Sequence, residues 1–394
     1  MKMRCLLFAA VVFLAACSKD GVLRPGAEAT KRLQEALIAA KPGAVIELGE
    51  GKFDIDRPLS LSVAKVRLKG AGIDKTVLSF AGQKSGSAGL LVTAGDFIIE
   101  DLTIQDTKGD ALKINGAENV TIRRIKTEWT GGPKETNGAY GIYPVQCTNV
   151  LIEDSVAIGA SDAGIYVGQS KNIIVRRNRA EFNVAGIEIE NSTAADVYEN
   201  VATKNTGGLL VFNLPALPVQ GGSFTRLYNN QIFENNTPNF APKGNIVANV
   251  PTGTGIMVLA THDIEIFKNK IHNNQSANIS ILSYLTTGNP IKDAKFDPFV
   301  EKIYIHDNDI AGGGNLPAGR VAKLGDVLGN PVPSIIYDGV VKPKLESARI
   351  CIQNNGDATF VNYDAGGGFK KASKDLKAHG CSLPSLAAVS IPAS

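Results

Sequence analysis

The chain has 394 residues, a length that ordinarily divides into two or three domains, and its formal charge of +3 comes from 41 basic and 38 acidic side chains. It carries no basic block that would track a phosphate backbone, which excludes nucleic acid as an expected partner. No apolar stretch beyond the first residues approaches membrane-spanning length, so a polytopic membrane protein is excluded too and the mature chain is expected to be soluble apart from any anchor.

At the start, Lys2 and Arg4 precede an uninterrupted apolar run over residues 6–16, too short to cross a bilayer, and residues 1–16 read as a signal peptide. The run closes on Leu14-Ala15-Ala16-Cys17, which resembles the lipobox of bacterial lipoproteins. That resemblance implies cleavage before Cys17 and its acylation; ordinary secretion after a small-residue site is the alternative. Either route takes the chain out of the cytoplasm. Loss of Lys2 and Arg4 lowers the formal charge from +3 by two, to +1. Residues 17–29 then form a lipidated amino terminus and linker. Ser18 in place of an Asp implies, on the same resemblance, an outer-membrane lipoprotein facing the periplasm or the cell surface. Cys5 leaves with the signal, and Cys147, Cys351 and Cys381 remain in an oxidising compartment. Cys351 and Cys381 both lie in the tail and are the expected disulfide, whereas Cys147 sits among repeats and reads as a buried thiol.

Residues 30–40 place Leu33, Ala36, Leu37 and Ala40 at helical spacing, followed by the strand-like Ala44-Val45-Ile46-Glu47-Leu48. From Val66-Arg67-Leu68-Lys69-Gly70 onward a repeat takes over. Gly-anchored runs recur at Gly141-Ile142, Gly164-Ile165, Gly186-Ile187, Gly208-Leu209 and Gly255-Ile256, the first four anchors being 23, 22 and 22 residues apart. A second column passes through Ile99, Ile122, Ile152, Val175, Val197, Leu227, Ile266 and Ile305, its longer steps marking inserted loops. Three residues after the last five stand Asn178, Asn200, Asn230, Asn269 and Asn308, an asparagine ladder whose amides satisfy a stacked corner. No Leu-x-x-Leu-x-Leu frame is present. The expected fold is therefore all-β: a single parallel β-helix over residues 30–310, with coils of 22 to 23 residues and an amino-terminal capping helix. Gly312-Gly313-Gly314, proline-containing loops and one strand-like run at 348–353 then predict a carboxy-terminal cap over 311–394.

The stretches Gly138-Ala139-Tyr140-Gly141-Ile142-Tyr143-Pro144, residues 161–170, residues 183–192 and Asn236-Thr237-Pro238-Asn239-Phe240-Ala241-Pro242 resemble those of bacterial right-handed parallel β-helix repeat proteins, many of them lipoproteins, a group without an established reaction. The resemblance covers roughly residues 30 to 310. The wider pectate-lyase-like superfamily takes in pectate lyases, polygalacturonases, alginate epimerases and a periplasmic copper-accessory protein. The resemblance implies a right-handed helix and an exported address rather than a particular activity.

Alternation along each strand predicts that Lys113, Tyr143, Tyr166, Glu188, Leu210 and Met257 face solvent on successive rungs. Four rungs span about 14 Å, close to a short oligosaccharide, and a stripe of rings, acids and amides suits sugars. Lys113, Tyr143 and Tyr166 are the candidates for a lyase or epimerase, and Asp162 with Glu188 for a hydrolase. Tyr140, Gln146, Gln169, Glu190, Asn191, Asn213 and Phe240 are the candidate substrate contacts. Glu188 and Glu190 on one side of one strand repel unless paired or metal-bound, so calcium at Asp162, Glu188 and Glu190 is the one cofactor considered. Neither a consecutive aspartate pair like that of the polygalacturonases nor the Asp-Pro-His-Asp run of the alginate epimerases is present. The insertions at 130–137, 213–222 and 235–253 are expected to wall the groove, the last either covering the Tyr143 to Glu188 stripe or capping an apolar patch. Three function classes follow: a polysaccharide-binding or polysaccharide-modifying protein, a non-catalytic envelope scaffold that meets another exported protein, and a copper-accessory protein. Only the last needs converging His, Met or Cys, and His262, His272, His306 and Met257 are too sparse to favour it.

Overall fold

The computed structural model describes residues 21–392. The signal sequence and Cys17 lie outside the described residues. Helix α1, Ala29–Ala39, buries Leu33 and Leu37 over the open end of a stack of coils. Its apolar face covers core and strand edges that would otherwise recruit other chains. Behind it, strands pair in parallel into an 11-stranded sheet, running from Leu59–Leu61 to Phe360–Asn362, and a 19-stranded sheet that bends around the other sides of each coil.

Both columns read from the sequence are columns in space. Ile142 pairs with Ile165, Ile165 with Ile187, Ile187 with Leu209 and Leu209 with Ile256. The second column is continuous from Ile99 through Ile122, Ile152, Val175, Val197, Leu227 and Ile266 to Ile305. All of these side chains are buried, and their branched shape packs along the pleat with the identical position one rung away. The glycine before each anchor has a separate cause. A Cβ on Gly186 would stand 2.6 Å from the carbonyl oxygen of Gly208 on the next rung, so the chains approach too closely there for any side chain.

The asparagine ladder is present and continues to Asn355. Asn200 accepts from the backbone N–H and the side-chain amide of Asn178, and donates its own amide to the Val175 carbonyl and to Asn230. The residue before each rung of this ladder is left-handed, as at Arg177 (φ 55°) and Glu199 (φ 55°). Such a corner costs a non-glycine residue about 1–2 kcal/mol and strips the backbone of partners, which the stacked amides replace. A second ladder, Asn183, Asn205, Asn235 and Asn274, holds the following corner in the same way, and Asn278 from the next strand caps its end.

The coil does not end at residue 310. Strands Ile335–Tyr337, Ile350–Gln353 and Phe360–Asn362 continue the parallel pairing, so the boundary drawn there moves to Asn362. The segment looked like a cap because long loops separate these strands and hide the period. The disulfide Cys351–Cys381 is formed, and Cys147 is free and buried.

Candidate active site

On the outer face of the 11-stranded sheet, register sets Lys113 beside Tyr143 and Tyr166 beside Glu188 on consecutive rungs. Tyr140 joins them from the start of its strand. The rings of Tyr140, Tyr143 and Tyr166 lie 4.3, 4.7 and 4.9 Å apart between centroids, one compact aromatic group. At its open side, Lys113 Nζ stands 4.7 Å from the Tyr143 ring centre and 3.8 Å from the carboxylate of Asp110. Burial pushes the Asp110 carboxyl up to about 6 against the pull of Lys113.

Behind the rings lie three carboxyl groups with no cation among their hydrogen-bond partners. The Tyr166 hydroxyl donates to Glu190 at 2.6 Å, the Tyr140 hydroxyl donates to Asp162 at 3.4 Å, and Glu188 shares a hydrogen with Glu190. Burial and the neighbouring negative charge of Glu190 push Asp162 up to about 7, and burial pushes Glu190 up to about 7 against the hydrogen bonds from Tyr166 and Glu188. Glu188 is raised as well; burial comes first among the causes, then the charges of Glu190 and Asp162. One of its oxygens, Oε2, is buried with no hydrogen-bond partner. Desolvation likewise drives the Tyr143 hydroxyl up to about 12 and raises those of Tyr140 and Tyr166. At neutral pH the tyrosines therefore keep their protons, while Asp162 and Glu190 are poised to gain or lose one.

The predicted solvent exposure of this stripe is corrected. Tyr166 is 4% exposed, Glu188 1%, and Leu210 and Met257 are buried as well. The side chains do point away from the coil, but the insertions fold back over them. Val247, Val250, Phe240 and Ile246 from residues 235–253 pack with Leu210, Phe212 and Met257 into a second apolar cluster, and Asn245 donates to Asp162 at 3.2 Å. Lys113, Tyr140 and Tyr143 keep partial exposure. The opening thus lies at the Asp110, Lys113 and Tyr143 end.

The amide column sits at corners. Gln146, Gln169 and Asn191 are left-handed residues at strand ends. Asn191 donates to the Leu214 and Val219 carbonyls and accepts from the Leu214 N–H, and Asn213 donates to the Gly222 carbonyl, so both hold the 213–222 insertion in place. Gln169 accepts from Val219 N–H and from Gln146. The structure brings Lys113, Tyr140, Tyr143, Asp162, Tyr166, Glu188 and Glu190 together and leaves these amides at the margin. Asp110 and Asn245 complete the group. Asp110 was legible from the repeat, since it stands two positions before Leu112 as Tyr140 stands before Ile142, while Asn245 lies on an insertion with no period to reveal it.

Among the described residues, no three His, Cys, Asp or Glu side chains form a set that could hold a metal ion. Of the carboxyls considered for calcium, Asp162 accepts from Tyr140 and Asn245, and Glu190 accepts from Tyr166. Three histidines lie apart on the other sheet, His262 against Asp263, His272 against Asp309 and His306 between Glu265 and Asp307, and His379 lies in the tail against the Ile350 carbonyl. Farther along the face with the tyrosines a cavity of about 460 Å³ opens, lined by Phe212, Met257, Leu259, Leu285, Val321 and Phe369 among others and by no carboxylate.

Residues 71–224 match the family model described as the right handed beta helix region. This part of the chain is a right-handed β-helix. Among solved structures, the chain is similar to the A-module of the Azotobacter vinelandii mannuronan C-5 epimerase AlgE4, with 21% identity over 83% of this chain and 90% of that one and a TM-score of 0.57. It is also similar to the A-module of AlgE6 from the same organism (18% identity, 79% and 86% covered, TM-score 0.49). A third similar structure is an alginate lyase from Paenibacillus sp. str. FPU-7 (16% identity, 72% and 96% covered, TM-score 0.35). At these identities the likeness is one of fold. No curated protein matches the chain.

Proposed function

We propose that this right-handed β-helix is an exported protein, anchored through an acylated Cys17 at the outer membrane, that binds and modifies a polysaccharide at the Asp110, Lys113 and Tyr143 mouth. The observation that carries this reading is the set of four carboxyl groups gathered beside three tyrosines and a lysine on one sheet face, Asp110, Asp162 and Glu190 raised to about 6 to 7 and Glu188 raised above its ordinary value. Structural ion pairs hold carboxylates low; groups held near neutral pH are matched to proton transfer. The similar AlgE4 structure bears the name of an epimerase acting on mannuronan, which makes a uronate polymer the first substrate to test.

Removing a sugar proton next to a uronate carboxylate requires a cation at that carboxylate and a group that exchanges protons at the carbon. Lys113, partly exposed, supplies the cation, and the proton-exchanging groups are the partly exposed Tyr143 and Asp110, buried just beneath the Lys113 ammonium. Asp162 and Glu190 lie one layer deeper, joined to Tyr140 and Tyr166 by hydrogen bonds, and serve as a proton store and as positioning groups for the rings. A binding protein without chemistry is the second reading, favoured by the seal that leaves Asp162 and Glu190 only 6% exposed each.

The test is incubation with uronate polysaccharides in deuterated water, following deuterium at C5, unsaturated ends and retention on the polymer. Deuterium uptake or unsaturated ends that fall about a hundredfold or more in Lys113→Ala, Asp110→Asn or Tyr143→Phe support the proposal. Retention without either product selects the binding reading. Neither product nor retention on any uronate or neutral polymer contradicts both.

A further inference from the structure

The carboxy-terminal segment lies on the 19-stranded sheet, far from the tyrosine cluster. After Cys381, tied to Cys351, the chain runs back along the stack; Leu386 N–H donates to Glu265 and Val389 N–H donates to Asp196. Asp196, Arg226 and Glu265 occupy one column on consecutive rungs, and Tyr198, Tyr228, Phe267 and His306 form the neighbouring column, ring centres 4.7, 5.0 and 5.3 Å apart.

The spacings match. Asp196 and Glu265 are two rungs apart, about 9.6 Å at the usual strand separation. Leu386 and Val389 are three residues apart, about 9 to 10 Å in an extended or polyproline-type chain. Leu383, Leu386 and Val389 are half-buried while the residues between them are exposed, a three-residue period with Pro384 and Pro392 in the segment. Residues 381–394 contain no charged side chain. The segment is thus seated as an extended peptide ligand would be, with main-chain donors on fixed acceptors and every third side chain inward. It is also an incomplete complement, since Asp196 Oδ1 and Arg226 Nε beneath it are buried without a hydrogen-bond partner. Side-chain exposures of 4% for Asp196 and 3% for Glu265 show how closely the groove is covered.

We propose that the groove over Asp196, Arg226 and Glu265 is a docking site for an extended, uncharged polypeptide with an apolar residue at every third position, and that residues 382–391 are its tethered, displaceable occupant. The disulfide at Cys381 keeps the tether short and the local concentration of the tail high, so a free peptide competes poorly while the tail is intact.

The test uses the full chain with the inward-side substitutions Leu386→Asp and Val389→Asp, which set like charges against Glu265 and Asp196 and leave the disulfide in place. The probe is a labelled synthetic peptide of residues 382–394. Saturable binding to the double variant is expected, at least about tenfold tighter than to the parent chain, and it falls at least about tenfold when Asp196→Asn and Glu265→Gln are added. Amide exchange at Ile266, beneath the groove, reports whether each variant remains folded. If the folded double variant does not bind the peptide, or binds it no better than the parent, the tail is a fixed wall of the coil and the proposal is overturned.

Discussion

Two buried glutamates separate the faces of this molecule. Glu100 lies on the outer side of the 19-stranded sheet, fully buried, where Arg67, Arg123 and Arg124 on neighbouring rungs converge on its carboxylate. Burial pushes its carboxyl up, but hydrogen bonds and charge from Arg123 and Arg67 outweigh that and hold it below the ordinary value. Glu188, as deeply buried on the other sheet, has Glu190 and Asp162 as its charged neighbours and is driven the opposite way. Stacking like positions at rung spacing offers both outcomes. Alternating charges make an acid–base ladder that holds the coil together, and acids stacked beside tyrosines make a reservoir of protons.

The largest expected effect breaks the first cluster. Glu100→Gln leaves three arginines crowded without their carboxylate and is expected to cost about 3–5 kcal/mol, read from the denaturant midpoint or from amide exchange on the Ile99 to Ile152 rungs. Survival of the variant within about 1 kcal/mol of the parent would mean that solvent screens these arginines.

Next comes pH, where the clusters have opposite signs. A lowered folded pKa makes the stability from Glu100 present above its ordinary value of 4.5 and lost as pH falls through the folded value. A raised folded pKa does the reverse. The contribution of Glu190 is complete below 4.5 and is lost as pH rises to about 7, on the order of 3 kcal/mol, with Asp162 adding to it from its ordinary 3.8 upward. The protection of the Ile187 and Ile189 amides, measured against their intrinsic base-catalysed exchange, is therefore expected to fall between acid and neutral pH, and Glu190→Gln flattens that slope. A slope unchanged by this variant would remove Glu190 as its source.

A cation converts one cluster toward the other. Leu210 stands beside Glu188 on the next rung, so Leu210→Arg supplies the missing guanidinium and is expected to bring Glu188 and Glu190 down toward the ordinary carboxylate range. The smallest effect is that of Glu188→Gln. Because Glu188 already holds its proton, the amide replaces it with a stability change within about 1 kcal/mol by thermal melting, against several for Glu100→Gln.

The sequence carried the architecture because each rung must repeat the same inward residue, and Ile142, Ile165 and Ile187 show it in steps of 23 and 22 residues. The second ladder, Asn183, Asn205, Asn235 and Asn274, was also legible, since it keeps the 22-, 30- and 39-residue steps of the first. The side chains at Tyr143, Tyr166 and Glu188 were placed on one face by the same rule. Their burial was not legible, because it depends on contacts such as Asn245 to Asp162, 83 residues away, between an insertion and a coil that share no period. The coils beyond residue 310 were lost for a related reason: loops of unequal length separate Ile335–Tyr337 from Ile350–Gln353 and erase the step.

The most direct test of the central claim is a carboxyl carbon NMR titration of the folded protein, followed from acid to alkaline pH and assigned with Glu190→Gln, Asp162→Asn and Glu100→Gln. The structure predicts that Glu190 and Asp162 titrate at about 7 while Glu100 titrates below 4.5. Titration of Glu190 and Asp162 at their ordinary values of 4.5 and 3.8 would contradict the account, because that sheet face would then hold ionised, solvated carboxylates and no proton store.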